Sequence, residues 1–359
     1  MNKVIIQLVS VFGIMLMACA GCRNSSSSLD KEDVGKDIIS TERYQKTFAD
    51  NILYVNDLAI MDGTVGMQSF DILEDGDILA CGIEDGALHF QRMSRDGKYE
   101  NEMRLWFAGH GTNMSVEEED GKVFVWTSNY ASHINESSDY YLEKLISRVE
   151  YIPGTDLLPE DCTDNYYVGP YANILVSTDS ENDLLCIIYG DNSKPDYDTK
   201  VCVWSLSAAK KAPLRVINLG AVLRGGDKGC PIPERETIYP SVEARDLTKV
   251  RPISVFHING EILDGGDPMQ GYCVYRDRFY WFAGDGGHRT AKVSVVDFKG
   301  NVEKLCIDLA LDDRKEDIVS LGSASGYFEP EGLKIRKGRL YAGFLWGHRE
   351  NHRITIVEL

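Results

Sequence analysis

The stretch from Met269 to Leu309, MQGYCVYRDRFYWFAGDGGHRTAKVSVVDFKGNVEKLCIDL, decides the fold. It opens on Met269-Gln270-Gly271-Tyr272, and the same order of a Met, a Gln, a small residue and an aromatic opens an earlier stretch at Met67-Gln68-Ser69-Phe70. That earlier stretch resolves into four short runs, MQSFDIL (67 to 73), DILACG (77 to 82), ALHFQRMS (87 to 94) and ENEMRLWF (100 to 107). Glu-Asp-Gly and Arg-Asp-Gly turns join them, which is the chemistry of an antiparallel meander. A repeated four-strand unit calls for a search along the whole chain. A second unit reads TNMSVEE (112 to 118), KVFVWTS (122 to 128) and LISRVEYI (145 to 152). A third reads NILVSTD (173 to 179), LLCIIYG (184 to 190), KVCVWSLS (200 to 207) and LRVINLG (214 to 220).

The fifth unit, from Pro330, stops after three strands at Leu359. An outer strand is then missing, and an open edge is an aggregation hazard. NILYVNDLAI (51 to 60) precedes the first unit and is free to supply it. The expectation is therefore an all-β fold, a five-bladed β-propeller closed by its own N-terminal strand. Residues 221 to 266 read as a long insertion, and a sixth, degenerate blade inside it is the alternative count. A jelly roll or sandwich leaves the repeated order unexplained.

Composition agrees. With 43% hydrophobic and 26% charged residues the chain can bury a core, so intrinsic disorder is excluded. The 33 glycines, 18 tyrosines and 5 tryptophans favour strands over helices. A formal charge of −18 repels phosphate backbones over the whole surface, which excludes a general nucleic-acid binder.

The first residues carry an address. After Lys3 an apolar run from Val4 to Ala18 has the length of a signal-peptide core and is short for a membrane span. Leu16-Met17-Ala18-Cys19 resembles a bacterial lipobox, so residues 1 to 18 read as a lipoprotein signal peptide and Cys19 as the lipidated residue. Cys22 is the second candidate, and a soluble secreted protein cleaved near Ala20 is the alternative. Two acyl chains suffice for stable anchoring. Residues 19 to 48 read as a flexible polar tether, and 49 to 359 as the propeller. The expected location is the bacterial cell envelope, with the protein a monomer held on a membrane and facing periplasm or exterior. Seven further cysteines lack metal spacing and sit in apolar runs, where Cys behaves as a small hydrophobe. An oxidising compartment leaves a Cys186–Cys202 pair open.

Propeller geometry gathers residues far apart in sequence. The starts of the innermost strands share one face with the turns joining second to third strands. Gln68, Asn113, Asn173, Gln270 and Glu331 fall at such starts, and His110 just before one. His288, Arg289, His348 and Arg349 fall in two equivalent turns. These ten are the expected ligand-binding residues of one funnel mouth, with the arginines offering a local anion site. The amides could equally satisfy backbone groups at a crowded axis. His89, His133 and His257 read as structural or solvent-facing.

Met67-Gln68-Ser69-Phe70, Gly109-His110-Gly111-Thr112-Asn113-Met114, Met269-Gln270-Gly271-Tyr272 and Glu329-Pro330-Glu331-Gly332-Leu333 together resemble the five-bladed propeller family of helveticin-J-type bacteriocins, TagC-like proteins and the propeller domains of some phage receptor-binding proteins. The likeness covers about residues 50 to 359. It implies a non-enzymatic, lipid-anchored module that binds an envelope glycan or glycopolymer in the funnel. Tyr130, Tyr166, Tyr167 and Trp346 are the candidate aromatic platforms for sugar rings. Two other classes compete. One is a calcium-dependent hydrolase or lactonase, with Glu331, Asn113 and Asn173 as oxygen ligands and His110 as acid and base. The other is a scaffold of an envelope complex that docks through the 221 to 266 insertion. No nucleophile elbow, Walker loop or dinucleotide fingerprint is present.

Overall fold

A computed structural model of the chain describes residues 52–55, 66–95, 97–133, 141–190, 198–309, 311, 315–320, 326–348 and 351–358. The signal peptide, the tether, Cys19, Cys22 and Arg349 lie outside them.

Five antiparallel sheets carry the fold. From the inside outward, the first blade is Gly66–Ile72, Ile78–Glu84, Ala87–Met93 and Tyr99–Trp106, with Asp156–Leu157 added in parallel at its edge. Blade two begins with Ser115–Glu119, Lys122–Asn129, Leu145–Glu150 and Asn165–Tyr167. The third is Ala172–Asp179, Leu184–Gly190, Asp198–Ser205 and Ser254–Asn259. The fourth is Met269–Tyr275, Arg278–Asp285, Thr290–Asp297 and Val302–Asp308. The last takes Phe328–Arg336, Arg339–His348 and Asn351–Glu358 from the C-terminus and Ile52–Val55 from the other end of the chain. Tyr54 pairs with Ile356 and Val55 with Thr355, so the N-terminal strand closes the ring as expected. Tight turns suit these hairpins: Asp120-Gly121 has φ of 52° and 75°, both positive as a type I′ turn requires.

The blade count follows independently from packing, because five apolar seams join neighbouring blades. Phe90 and Met103 meet Val125 between blades one and two, and Trp126 and Tyr166 meet Val176 and Trp204 between two and three. Ile188 and Val201 meet Tyr272 and Phe279 between three and four, and Phe282 meets Phe328 and Phe344 between four and five. Met67 and Phe70 meet Tyr341 and Ile356 across the closure. Each fully buried aromatic contributes about 2–3 kcal/mol of hydrophobic free energy. A seam thereby holds its blades without disulfides.

One expectation needs correction, and two alternatives left open by the sequence are closed. Leu214–Asn218 is not the outer strand of the third blade; it pairs with Ser241–Asp246, which joins Asn165–Tyr167 in parallel and widens blade two to six strands. Leu214, Arg215 and Val216 are exposed, as an edge strand tolerates, whereas Ser254–Asn259 buries Phe256 and Ile258 in the next seam and takes the outer place in blade three. Residues 221 to 266 hold no sixth blade: they form the hairpin Val222–Arg224 with Glu236–Ile238, the two strands just named, and a short helix, Gly260–Asp264. The Cys186–Cys202 pair does not form. Cys186 lies opposite Val203 and Cys202 opposite Ile187, so the two thiols point to opposite faces of one sheet and into different seams. All seven described cysteines are free.

Candidate functional site at the propeller mouth

The axle explains the repeated signature. In blades one, four and five the innermost strand carries a β-bulge at its first residues, between Met67 and Ser69, Met269 and Gly271, and Pro330 and Leu333. The small residue that follows the Gln or Glu lies where strands meet backbone to backbone. A Cβ on Gly271 would sit 3.3 Å from the Gly332 Cα, and one on Gly332 3.2 Å from the Ser69 Cα. Both glycines also have positive φ, 135° and 100°, so a side chain is disfavoured both by crowding and by backbone strain. A bulge re-aims the side chain it carries. Gln68, Gln270 and Glu331 thus occupy equivalent places around the mouth, and Asn173 lies in the corresponding irregularity of blade three, exposed, with φ of 56°.

Asn113 is different. It is 1% exposed, its Nδ2 donates to Val176 O (2.5 Å) and its Oδ1 accepts from Tyr272 N (3.2 Å), so one amide ties blade two to blades three and four. Ser69 Oγ donates to Gly111 O (2.7 Å), and the buried Lys334 ammonium of blade five reaches Met114 O and Ser115 Oγ. Asn113 therefore acts as a structural pin, its amide committed to two main-chain groups. Among the described residues no group of three or more His, Cys, Asp or Glu is arranged to hold a metal ion. Of the proposed calcium set, Asn113 is committed to main-chain groups, which leaves Glu331 and Asn173.

Glu331 is 4% exposed, and its carboxyl has no hydrogen-bond or ion-pair partner among the described residues. Burial, and then the neighbouring Glu329, push its pKa well above the usual carboxylate range, which favours the protonated form. Glu329 accepts from the Tyr327 hydroxyl, and Gly286 of the adjacent turn packs directly on both residues. Asp285 begins that turn and holds His288, whose Nδ1 lies 3.1 Å away and whose side chain is 81% exposed. Arg289 follows, half-buried, with φ of 55°. Gln270 is buried and donates to Gly284 O (3.2 Å), whereas Gln68 is half-buried. His348 ends the second strand of blade five.

Across the mouth, sequence reasoning missed Glu143. It lies in the second-to-third-strand connection of blade two, where the polar run from His133 to Lys144 offers no periodicity to mark it. Its carboxyl covers Gly109, where a Cβ would come within 2.3 Å of Oε1, and accepts from the His110 N–H (3.3 Å). Burial raises its pKa to about 7. His110 touches solvent, yet the surrounding walls desolvate it enough to lower its pKa, as happens to a side chain lining a concavity. The insertion walls this side: Asp227 lies against Gly86 of one turn and 3.3 Å from the buried His133 of the next. His89 pairs with Glu102 (3.4 Å) and His257 is exposed, as read from the sequence.

The aromatic platform is corrected. Tyr130, Tyr166 and Trp346 are 4%, 0% and 1% exposed and belong to the core; Tyr167 alone of the four is half-buried. A hollow of about 310 Å³ opens between blades one and five on the face opposite the mouth, lined by Ile72, Glu74, Arg95, Arg339 and Tyr341. None of the expected binding residues lines it. On that same face a hollow of about 20 Å³ beside Thr178, Lys334 and Arg336 has room for one water.

Comparison with known proteins agrees with this architecture. Residues 82–165 match the family model described as the phage 5-bladed beta propeller receptor binding platform domain. No curated protein matches the chain. Among solved structures, the tail fiber of Staphylococcus aureus phage P68 is similar at 15% identity and a TM-score of 0.53, over 86% of this chain and 52% of that one. This chain thus spans about half the length of that fiber. A GH43_1 enzyme from Xanthomonas citri is similar at 8% identity and a TM-score of 0.40, over 89% of this chain and 93% of that one. Virginiamycin B lyase from Staphylococcus aureus follows at 9% identity and 0.34, over 85% and 99%. The chain is a five-bladed β-propeller resembling the phage receptor-binding propellers, and the segment from the second strand of its first blade to the outer strand of its second carries the match.

Proposed function

We propose that this protein is a lipid-anchored, non-enzymatic receptor-binding module of a bacterial cell envelope that recognises a surface glycan at the propeller mouth. The observation that carries the reading is the match of residues 82–165 to a receptor-binding platform, in a chain whose mouth carries Gln68, Asn173, Gln270, Glu331, His110 and Glu143. Amides and neutral carboxyls both donate and accept hydrogen bonds, which suits hydroxyl-rich ligands. Anchoring agrees with the topology. Ile52 pairs with Val357, near the end of a strand that runs away from the mouth, so the chain enters the ring on the far side. With Cys19 lipidated, the intervening residues, 52 − 19 = 33, reach at most about 110–120 Å.

Two experiments test this. Metabolic labelling with an alkyne fatty acid is expected to mark the wild type and Cys22→Ala but not Cys19→Ala; label retained in Cys19→Ala refutes the anchor site. A glycan array probed with the detergent-solubilised full chain is expected to give hits that weaken at least tenfold in His110→Ala. An array without hits, or hits indifferent to every mouth substitution, overturns the reading.

A further inference from the structure

The chemistry of the ligand can be narrowed, on the assumption that the mouth is the binding site. Glu331 lies at the bulge of its innermost strand, more than nine-tenths buried, with no cation, amide or hydroxyl committed to its carboxyl among the described residues. Groups of this kind are almost always satisfied, because an unpaired buried polar atom costs about 1–3 kcal/mol. Its surroundings supply more negative charge: Glu329 stands two residues away, and Asp285 heads the neighbouring turn. The Tyr327 hydroxyl is already spent on Glu329. Two neighbouring cationic groups are engaged. His288 is held on Asp285, and Arg289 has a partner of its own.

We infer that the mouth is built for a ligand carrying a protonated amine, such as the ammonium group of an amino sugar, with the Glu331 carboxylate as its counter-charge and Glu329 and Asp285 enriching cations around it. An ammonium donates three hydrogen bonds in no fixed plane and needs no preformed cage of ligands. This matches a corner of the mouth where Glu331 is the buried carboxyl without a partner among the described residues. The overall charge of −18 attracts a polycationic glycan as it repels a polyanionic one. Without a ligand, burial and the neighbouring Glu329 favour the protonated form of Glu331.

The test is calorimetric titration of the full chain at pH 7 with a glucosamine tetramer, its N-acetylated counterpart and spermidine. The glucosamine tetramer is expected to bind at least tenfold more tightly than the acetylated one. Glu331→Gln, which keeps shape and neutrality, is expected to abolish that preference at unchanged Tm, while Glu181→Gln on the opposite face keeps it. Equal or tighter binding of the acetylated tetramer overturns the inference and leaves glycan recognition standing. Glu331-dependent binding of spermidine with no sugar bound supports the amine site and removes the glycan reading. Binding that ignores Glu331→Gln, or no binding of any probe, overturns the inference.

Discussion

Replacing Asn113 by Ala separates the axle from the mouth. Its amide holds Val176 O and Tyr272 N at once, and both are main-chain groups of innermost strands. Alanine leaves one acceptor and one donor unpaired where Asn113 is 1% exposed. Each such group costs about 1–3 kcal/mol, and a water entering the vacated space recovers part of it. The expected loss is about 2–5 kcal/mol. For a propeller of about 300 residues, an unfolding entropy of roughly 2.1 cal/mol/K per residue converts this to a Tm lowered by about 3–8 °C. Asn113→Asp is expected to cost more at pH 7, because a carboxylate oxygen replaces the donor facing Val176 O. Differential scanning calorimetry measures the shift, and titration with a bound glycan measures any change in Kd. A Tm within about 1 °C of wild type contradicts the pin. A tenfold loss of affinity at unchanged Tm would return Asn113 to the ligand.

Other substitutions probe the remaining claims. Glu143 has a folded-state pKa of about 7 against an ordinary 4.5, so the fold keeps it protonated in that window and stability falls as pH rises through it. Glu143→Gln is expected to match wild type in urea at pH 4 and to exceed it by up to about 3 kcal/mol at pH 8; a difference independent of pH refutes the buried carboxyl. Lys334→Met removes the donor to Met114 O and Ser115 Oγ and is expected to cost about 2–4 kcal/mol by chemical denaturation, with no loss meaning that the lysine does not cross the axle. Tyr54→Cys with Ile356→Cys places two thiols at paired positions, and peptide mass spectrometry is expected to recover their cross-link after mild oxidation. Its absence, with the thiols still free, contradicts closure by the N-terminal strand.

The repeated order of strands was legible because a meander uses local turns and alternating residues, so the inner three strands of every blade and the closing strand could be read directly, while Asn165–Tyr167 of blade two was missed. The third unit misled, since Leu214–Asn218 has strand composition and follows at the right distance. Nothing in its residues says that it leaves its own blade for the neighbour's edge. The Met-Gln-small-aromatic signature located Gln68, Gln270 and, less directly, Glu331, because backbone contact at the axis constrains the small residue. It could not say which amide is spent on the axle, since Asn113 and Gln270 differ in partners rather than in type. Glu143 and Tyr327 were invisible for a related reason: both owe their environment to turns of other strands.

Hydrogen–deuterium exchange of the full chain with and without a glycan identified on the array tests the central claim most directly, because it reports which face of the ring is covered. The account predicts slowed exchange at residues 66–70, 109–114, 269–272, 285–290 and 328–332, with the turns at 73–77, 120–121, 180–183 and 276–277 unchanged. Protection confined to those turns, or to the exposed edge at Leu214–Asn218, contradicts it.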